Sequence, residues 1–306
     1  MARRGALAVT AVILAVFGLP SAASAVTVTL GPASVATVNT PTFVNCLVAC
    51  TGTHSALATQ LADGVATAPA DGTITTWRVN GTASGNGFVT LHPVFDLGAG
   101  GFFATSSAGP LQNFAVPQTV TNVNLPIFYG QYIGLDWGVS ASGGGAAFVP
   151  GDSSKLGNYE IFAQALSTVT AAAPSSTATA TIEPAFNVDV DLFAPVVESL
   201  SASSGSPGQT VTITGNHLRG ATGVSFGPVP AQFAPVADAL GATPEHIVAT
   251  IPAAAHGLVD VTVTGPGGTS ATGAQDQITL PPAPPVGATG PTGQRATALK
   301  KCTKKH

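Results

Sequence analysis

Apolar and polar residues alternate with a period of two along several short runs. In TITTWRV, Trp77 and Val79 share one face, while Thr76, Arg78 and Ile74 fall on the other. In FVTLHP, Val89 and Leu91 lie opposite Thr90 and His92. In QYIGLDWGV, Ile133, Leu135 and Trp137 line up against Tyr132, Gly134 and Asp136. Further on, QTVTITG and LVDVTVTG put Val211 and Ile213, then Val259, Val261 and Val263, on apolar faces backed by Thr and Asp. Side chains of a strand point alternately to its two faces, so this pattern predicts strands with one oily side. Antiparallel sheets of a sandwich require that arrangement. Trp77 and Trp137 are expected in a core.

Turn signals separate the runs. Asp71-Gly72, Asn80-Gly81, Gly98 to Gly101, Ser142 to Gly145 and Gly265 to Gly268 recur at the spacing of a sandwich or barrel. No long stretch with helical period follows residue 25, and Ser55 to Leu61 is read as a loop or a single helical turn. The body is rich in Val, Thr, Ala, Gly and Pro and poor in Leu, Glu and Lys, which disfavours helices. Phe193-Ala194-Pro195 reads as a boundary between two modules. Pro281 opens PPAPPVGATGPTGQ, too rich in Pro and Gly to bury a core. The expected domains are therefore 26–193 and 195–281, followed by a linker and basic tail over 282–306.

The first residues read as a secretory signal peptide, 1–25. Arg3 and Arg4 precede an uncharged apolar stretch from Gly5 to Leu19, too short for a comfortable membrane span; Pro20 ends it, and Ala23, Ser24 and Ala25 form a small-residue cleavage signal. An exported protein in the cell envelope or medium is the expectation, with no spanning helix in the mature chain. From Val26 to Gln294 the only basic side chains are Arg78, Lys155 and Arg219, against 14 acidic ones, a formal charge of −11. Such a body repels phosphate backbones, which argues against nucleic-acid binding. Arg295, Lys300, Lys301, Lys304 and Lys305 crowd the last twelve residues. They are a candidate electrostatic tether to anionic wall polymers or lipids; a solvated, frayed terminus is the alternative. Cys46 and Cys50 are close enough in sequence for a local disulfide in an oxidising compartment, and Cys302 is left over in the tail.

Candidate chemistry is sparse. Gly223, Ser225 and Gly227 match G-x-S-x-G, but a nucleophile elbow must open a helix, and Pro228 and Pro230 follow at once. His54, His92, His217, His246 and His256 are scattered, read mostly as exposed loop or strand positions, with His217 as a turn residue. No residue is assigned to catalysis. Asp189 and Asp191 alternate in NVDVDLF with Glu183 nearby, a candidate calcium set, since calcium favours several oxygen ligands; the alternative is a solvated strand face. Among aromatics that could stack on sugars, Trp137, Tyr129, Tyr132 and Phe128 are the candidates; alternation assigns Trp137 to the core, and Tyr132 beside Asp136 is the preferred surface pair. No other cofactor is expected.

From Pro195 to Leu280 the motifs run in a recognisable order: PVVESLSASSGSPGQTVTITGNHL, ATGVSFGPVPAQF, then IVATIPAAAHGLVDVTVTGPGGTS. This segment resembles the IPT/TIG family, which implies an immunoglobulin-like sandwich with Val211, Ile213, Phe226, Val259, Val261 and Val263 in its core and turns at Gly208, Gly215 and Gly227. The family implies no single activity. In the first module, Pro69 to Trp77 and Gly130 to Leu135 resemble a β-sandwich domain of exported actinobacterial proteins. The expected fold is all-β: an N-terminal jelly-roll or Ig-like sandwich and a C-terminal IPT/TIG sandwich. The expected role is a structural or interaction protein for adhesion, spacing or binding, with an unknown protein or envelope polysaccharide as partner. A carbohydrate-binding module and an exported hydrolase with its site in the first module are the rivals.

Overall fold

The structure, a computed structural model, describes residues 25–35, 49–54, 65–80, 87–98, 101–104, 108–113, 117–139, 151–152, 159–162, 176–178, 183–236, 238 and 243–284. In chain order the first part carries β1 (Val26–Leu30), β2 (Ala49–His54), β3 (Gly72–Val79), β4 (Gly87–Gly98), β5 (Gly101–Ala104), β6 (Gln112–Asn113), β7 (Gln118–Ile127), β8 (Tyr132–Val139), β9 (Gly151–Asp152), β10 (Tyr159–Phe162), β11 (Ser176–Ala178), β12 (Glu183–Pro184) and β13 (Phe186–Leu192). One sheet runs β1-β13-β3-β7; the other runs β11-β10-β2-β8-β4-β5, with β6 added to β4. Strands β9 and β12 form a separate pair.

The apolar faces of the two main sheets meet. Leu30, Ile74, Trp77, Val79, Phe186, Val188, Val190 and Leu192 come from one sheet; Val89, Leu91, Ile133, Leu135 and Trp137 come from the other. Trp77 and Trp137 are completely buried, as the alternation predicted. Ile74 departs from that prediction, because it faces the core together with Trp77. The cause is a β-bulge. Against β13 the partners of Thr76 and Ile74, Asp189 and Val190, are adjacent, so Thr75 is an extra residue on β3; on β7 the partners Thr121 and Leu125 are four apart, so that strand bulges opposite it. One unpaired residue shifts the two-residue phase and brings Ile74 back inside.

The second part carries β14 (Val196–Leu200), β15 (Thr210–Asn216), β16 (Gly223–Phe226), β17 (Val229–Ala231), β18 (Phe233–Ala234), β19 (Glu245–Thr250), β20 (Gly257–Gly265), β21 (Gly268–Thr269) and β22 (Gln277–Leu280). Sheet β14-β15-β19-β18 packs on sheet β17-β16-β20-β21, with β22 along β20. Val211, Ile213, Val224, Phe226, Ile247, Val261, Val263 and Ile278 fill the space between, and Val259 packs half-buried against them. Two separate apolar layers thus make two β-sandwich domains with no helical core; the regular helix described after β21 is one 3-10 turn, Ala274–Asp276. Among the described residues no helix is long and apolar enough to cross a membrane. Gly215, inside β15, is needed for a reason other than a turn. A Cβ there would lie 1.9 Å from the Val196 carbonyl oxygen, so the edge strand β14 approaches β15 too closely for any side chain. Ser225 sits in the β16–β17 hairpin, opposite Pro230, with no helix following it.

Candidate functional site

Among the described residues, those that join the sandwiches form an extended polar site. Only Phe193, Ala194 and Pro195 separate β13 from β14. Phe193 donates its backbone N–H to the Asp71 carbonyl, 2.9 Å. The β20–β21 turn presses on this connector, because a Cβ on Gly267 would come within 2.0 Å of the Phe193 carbonyl oxygen.

The corner after β15 completes the junction. His217 adopts a left-handed backbone, φ +57°, and this turns its ring toward the first sandwich. Its Nδ1 lies 2.9 Å from Asp71 Oδ2, and its ring centre is 4.7 Å from that of Phe193. Asp71 is nearly buried (6% exposed), and its other oxygen accepts the Tyr129 N–H at 2.9 Å. Gly220, at φ +76°, approaches so closely that a Cβ would sit 2.3 Å from the Pro69 carbonyl oxygen and 3.0 Å from the Tyr129 ring. Only glycine supplies both that backbone and that clearance.

The same corner is held from behind. Glu245 Oε2 accepts the Leu218 and Arg219 N–H groups at 2.6 and 3.1 Å. Glu245 Oε1 lies 2.8 Å from Arg219 Nε, and Arg219 Nη2 donates to the Asp238 carbonyl at 2.6 Å. Breaking one partner of such a buried pair is costly, because the other charge stays behind unpaired. One carboxylate from each sandwich therefore grips a single six-residue corner. The sequence reading placed His217 correctly in a turn but gave Asp71 only a turn role. Its Asp-Gly context looks the same whether or not a second domain sits on the carboxylate.

Several predicted site residues stand elsewhere. Tyr132 and Asp136 do share the expected face of β8, but that face is covered: they are 9% and 1% exposed. The expected surface pair for a sugar is therefore not at the surface. Asp136 Oδ2 is 2.7 Å from Nε2 of His92, itself completely buried and not exposed as anticipated. This is a close contact whose angle falls short of a hydrogen bond. Thr90 on the same face donates to the Gly109 carbonyl at 2.8 Å. Strands β4 and β8 are buried on both faces, and alternation reports the face, not what covers it. A His–carboxylate pair is part of a nucleophile-activating relay only where substrate can reach it, and here it is sealed.

Asp189 and Asp191 lie on one face of β13, as the spacing predicted, but they are already occupied. The Arg78 guanidinium takes Asp189 by two bonds, Nη1–Oδ1 at 3.0 Å and Nη2–Oδ2 at 2.5 Å, and Thr29 Oγ1 donates to the same carboxylate at 3.1 Å. These bonds to Arg78 hold the Asp189 carboxyl below its ordinary range against an opposing effect of burial, and Asp189 in turn raises Arg78. Thr27 Oγ1 donates to Asp191 at 2.6 Å. Glu183 pairs at the backbone with Asp152. Among the described residues no three His, Cys, Asp or Glu side chains gather as a metal site. His246 contacts Asp238 at 3.3 Å on the surface. Cys50 is on β2 opposite Trp137. Cys46, residues 1–24 and the tail from 285 onward, with Arg295, Lys300, Lys301, Lys304 and Lys305, lie outside the described residues, as do residues 55–64.

Two antiparallel sheets packed face to face around one apolar layer define the second unit as an immunoglobulin-like sandwich. Residues 195–279 match the IPT/TIG domain family, and an IPT/TIG domain is present there. No curated protein matches the chain. Among solved structures, the chain is similar to the gamma-CGTase from alkalophilic Bacillus clarkii at 19% identity and a TM-score of 0.25, covering 44% of this chain and 22% of that one. A superposition that loose carries no argument about function, and this chain spans under a quarter of that protein's length.

Proposed function

We propose that the chain is an exported, non-catalytic interaction and spacing protein whose two sandwiches work as one stiff unit. The observation that carries this reading is the junction. Domains in one chain move relative to each other by default unless their interface prevents it. Here the connector is three residues long and hydrogen-bonded to the first sandwich, and the His217–Asp71 contact and the Gly220 approach bind the IPT/TIG corner to the same spot. A stiff unit of two sandwiches holds whatever it displays at a set distance and angle, which suits adhesion or spacing at a cell envelope. The partner on this reading is a protein or an envelope polysaccharide. The basic tail, Arg295 to Lys305, supplies an electrostatic hold on anionic envelope polymers.

Two measurements test the reading. Small-angle scattering of the chain lacking residues 1–25 is expected to fit one rigid particle, and a variant with a Gly-Ser insertion after Ala194 to fit a broad ensemble. Equal breadth for both sinks the stiff-unit idea. Fractionation of cells expressing the chain with and without Arg295 to His306 tests the tether: retention at the surface is expected to fall on truncation, and unchanged retention removes that part of the proposal.

A further inference from the structure

We propose that a strip of aromatic rings at the junction, drawn from both sandwiches, binds a neutral linear polysaccharide. This rests on the reading of the chain as a stiff interaction unit and names the partner it holds. Leu192, Gly72 and Ile127 are cross-strand neighbours on β13, β3 and β7, and Leu192 and Ile127 point into the core. One residue further along, the Phe193 N–H reaches the Asp71 carbonyl, so Phe193, Asp71 and Phe128 form the next row and face outward. Phe193 and Phe128 therefore stand two strand spacings apart, about 10 Å.

The second sandwich completes the row. His217 contacts the Asp71 carboxylate at its middle, and its ring centre is 4.7 Å from that of Phe193. At the other end the Tyr129 ring lies against Gly220. Among the described residues the exposed Phe and Tyr side chains are Phe128, Tyr129 and Phe193, at 38%, 41% and 39%, and all of them sit here. Beside Tyr129, Gly130 has nothing within 4 Å of where a Cβ would stand, so the strip is open at that turn. The rings are held in place by the junction before any ligand arrives, which lowers the ordering that binding must impose.

Area, charge and hydrogen bonding each narrow the ligand. Aromatic side chains carry about 150–250 Å² apiece, so these four rings at their exposures present roughly 300 Å². A stable protein partner needs about 800 Å² on each side, which this strip falls well short of. Sugar rings, whose C–H faces stack on aromatic faces, fit within it. Asp71 is nearly buried and both its oxygens are engaged, so it presents no open carboxylate. Two residues along the strands, on the same outer face, Asp191 stands between Thr27 and Thr73. It accepts one bond from Thr27 and keeps lone pairs for ligand hydroxyls, while its charge repels an anionic polymer. Stacking faces bordered by hydroxyl acceptors match a neutral, polyhydroxylated chain.

The test is NMR titration of the ¹⁵N-labelled chain lacking residues 1–25 with cellohexaose, maltohexaose, laminarihexaose and tetra-N-acetylchitotetraose. Glucose and N-acetylglucosamine serve as single-ring probes, and oligogalacturonate as the anionic control. At least one neutral oligosaccharide is expected to shift the amides of Asp71, Phe128, Tyr129, Phe193 and His217 saturably, with a dissociation constant on the order of 0.1–1 mM. The matching single sugar should bind about tenfold more weakly or worse, because the strip is longer than one ring. Phe128→Ala and Phe193→Leu should each weaken binding about fivefold, the worth of a lost aromatic contact. Leu111→Ala, which trims an exposed apolar side chain elsewhere, should leave it unchanged. The Gly-Ser insertion after Ala194 should weaken binding about tenfold, since it uncouples the rings of the two sandwiches; unchanged affinity there overturns the shared strip. The proposal is also overturned by no saturable shift with any neutral oligosaccharide at about 10 mM, by shifts centred on other residues, or by oligogalacturonate binding as tightly as the best neutral probe. A dimer in sedimentation that Phe128→Ala dissociates would overturn it too, by making a second copy the occupant. Small-angle scattering that still fits one rigid particle in those cases leaves the stiff unit standing, so the two readings fail separately.

Discussion

Replacing His217 by glycine should weaken the first sandwich, although His217 belongs to the second. Glycine accepts the left-handed backbone at this position without penalty, so the change removes the imidazole and little else. The lost contacts are the 2.9 Å approach to Asp71 and the tilted ring contact with Phe193. A hydrogen bond to a carboxylate contributes about 1.5–3 kcal/mol when shielded; the His217 side chain is 32% exposed, so solvent screening brings the loss below that range, to about 1 kcal/mol. Tryptophan fluorescence reads this loss selectively, because both tryptophans, Trp77 and Trp137, are fully buried in the first sandwich. With a urea dependence of about 1–3 kcal/mol per molar for a domain of this size, the fluorescence midpoint should fall by roughly 0.5 M. Asp71→Ala removes the bonds to both Tyr129 and His217 and should cost about 3 kcal/mol. In that background His217→Gly should have almost no further effect, giving a coupling of about 1 kcal/mol between the two positions. A fluorescence midpoint unmoved by His217→Gly, or two losses that simply add, would refute the reasoning, because the contact would then transmit nothing across the junction.

Three further outcomes follow from particular residues. Gly220→Ala should cost roughly 3 kcal/mol by urea denaturation, since it adds a clash with Pro69 to an unfavourable backbone, whereas Gly208→Ala, at φ +83° with nothing near its Cβ, should cost only the backbone part, about 1–2 kcal/mol. Deleting Thr75 removes the extra residue and leaves Ile74 two positions from Trp77, so both should stay on the core face of a regular strand and the urea midpoint should move little; a loss of about 2–3 kcal/mol, the worth of exposing Ile74, would show that the bulge does not set the phase. Asp189→Asn should cost about 1 kcal/mol at pH 7, allowing for partial exposure of the pair. Its folded carboxyl titrates below the unfolded value of about 4, so the stabilisation is complete above that pH and drains away as pH falls further. Stability curves of wild type and variant should therefore converge below about pH 4, and a gap that widens there would contradict the assignment.

The strands and the composition of both apolar layers were legible in the sequence, because a period of two names the face each side chain takes. Val89, Leu91, Ile133, Leu135 and Trp137 all lie where alternation put them. Ile74 did not, since a bulge changes phase without leaving a mark in composition. Thr90, His92 and Asp136 were on the right face but under cover, because polarity alone does not tell a solvated face from a buried, paired one. Asp71, the anchor of the junction, reads as an ordinary Asp-Gly turn, and its partner is 146 residues away.

Residual dipolar couplings of the aligned chain decide the main point most directly. If the junction holds as described, the backbone couplings of residues 65–80, 117–139 and 183–192 and those of residues 196–236 and 243–280 fit one alignment tensor with the same magnitude and orientation. Two tensors of different magnitude would mean that the sandwiches tumble separately, and the stiff two-domain unit would have to be abandoned.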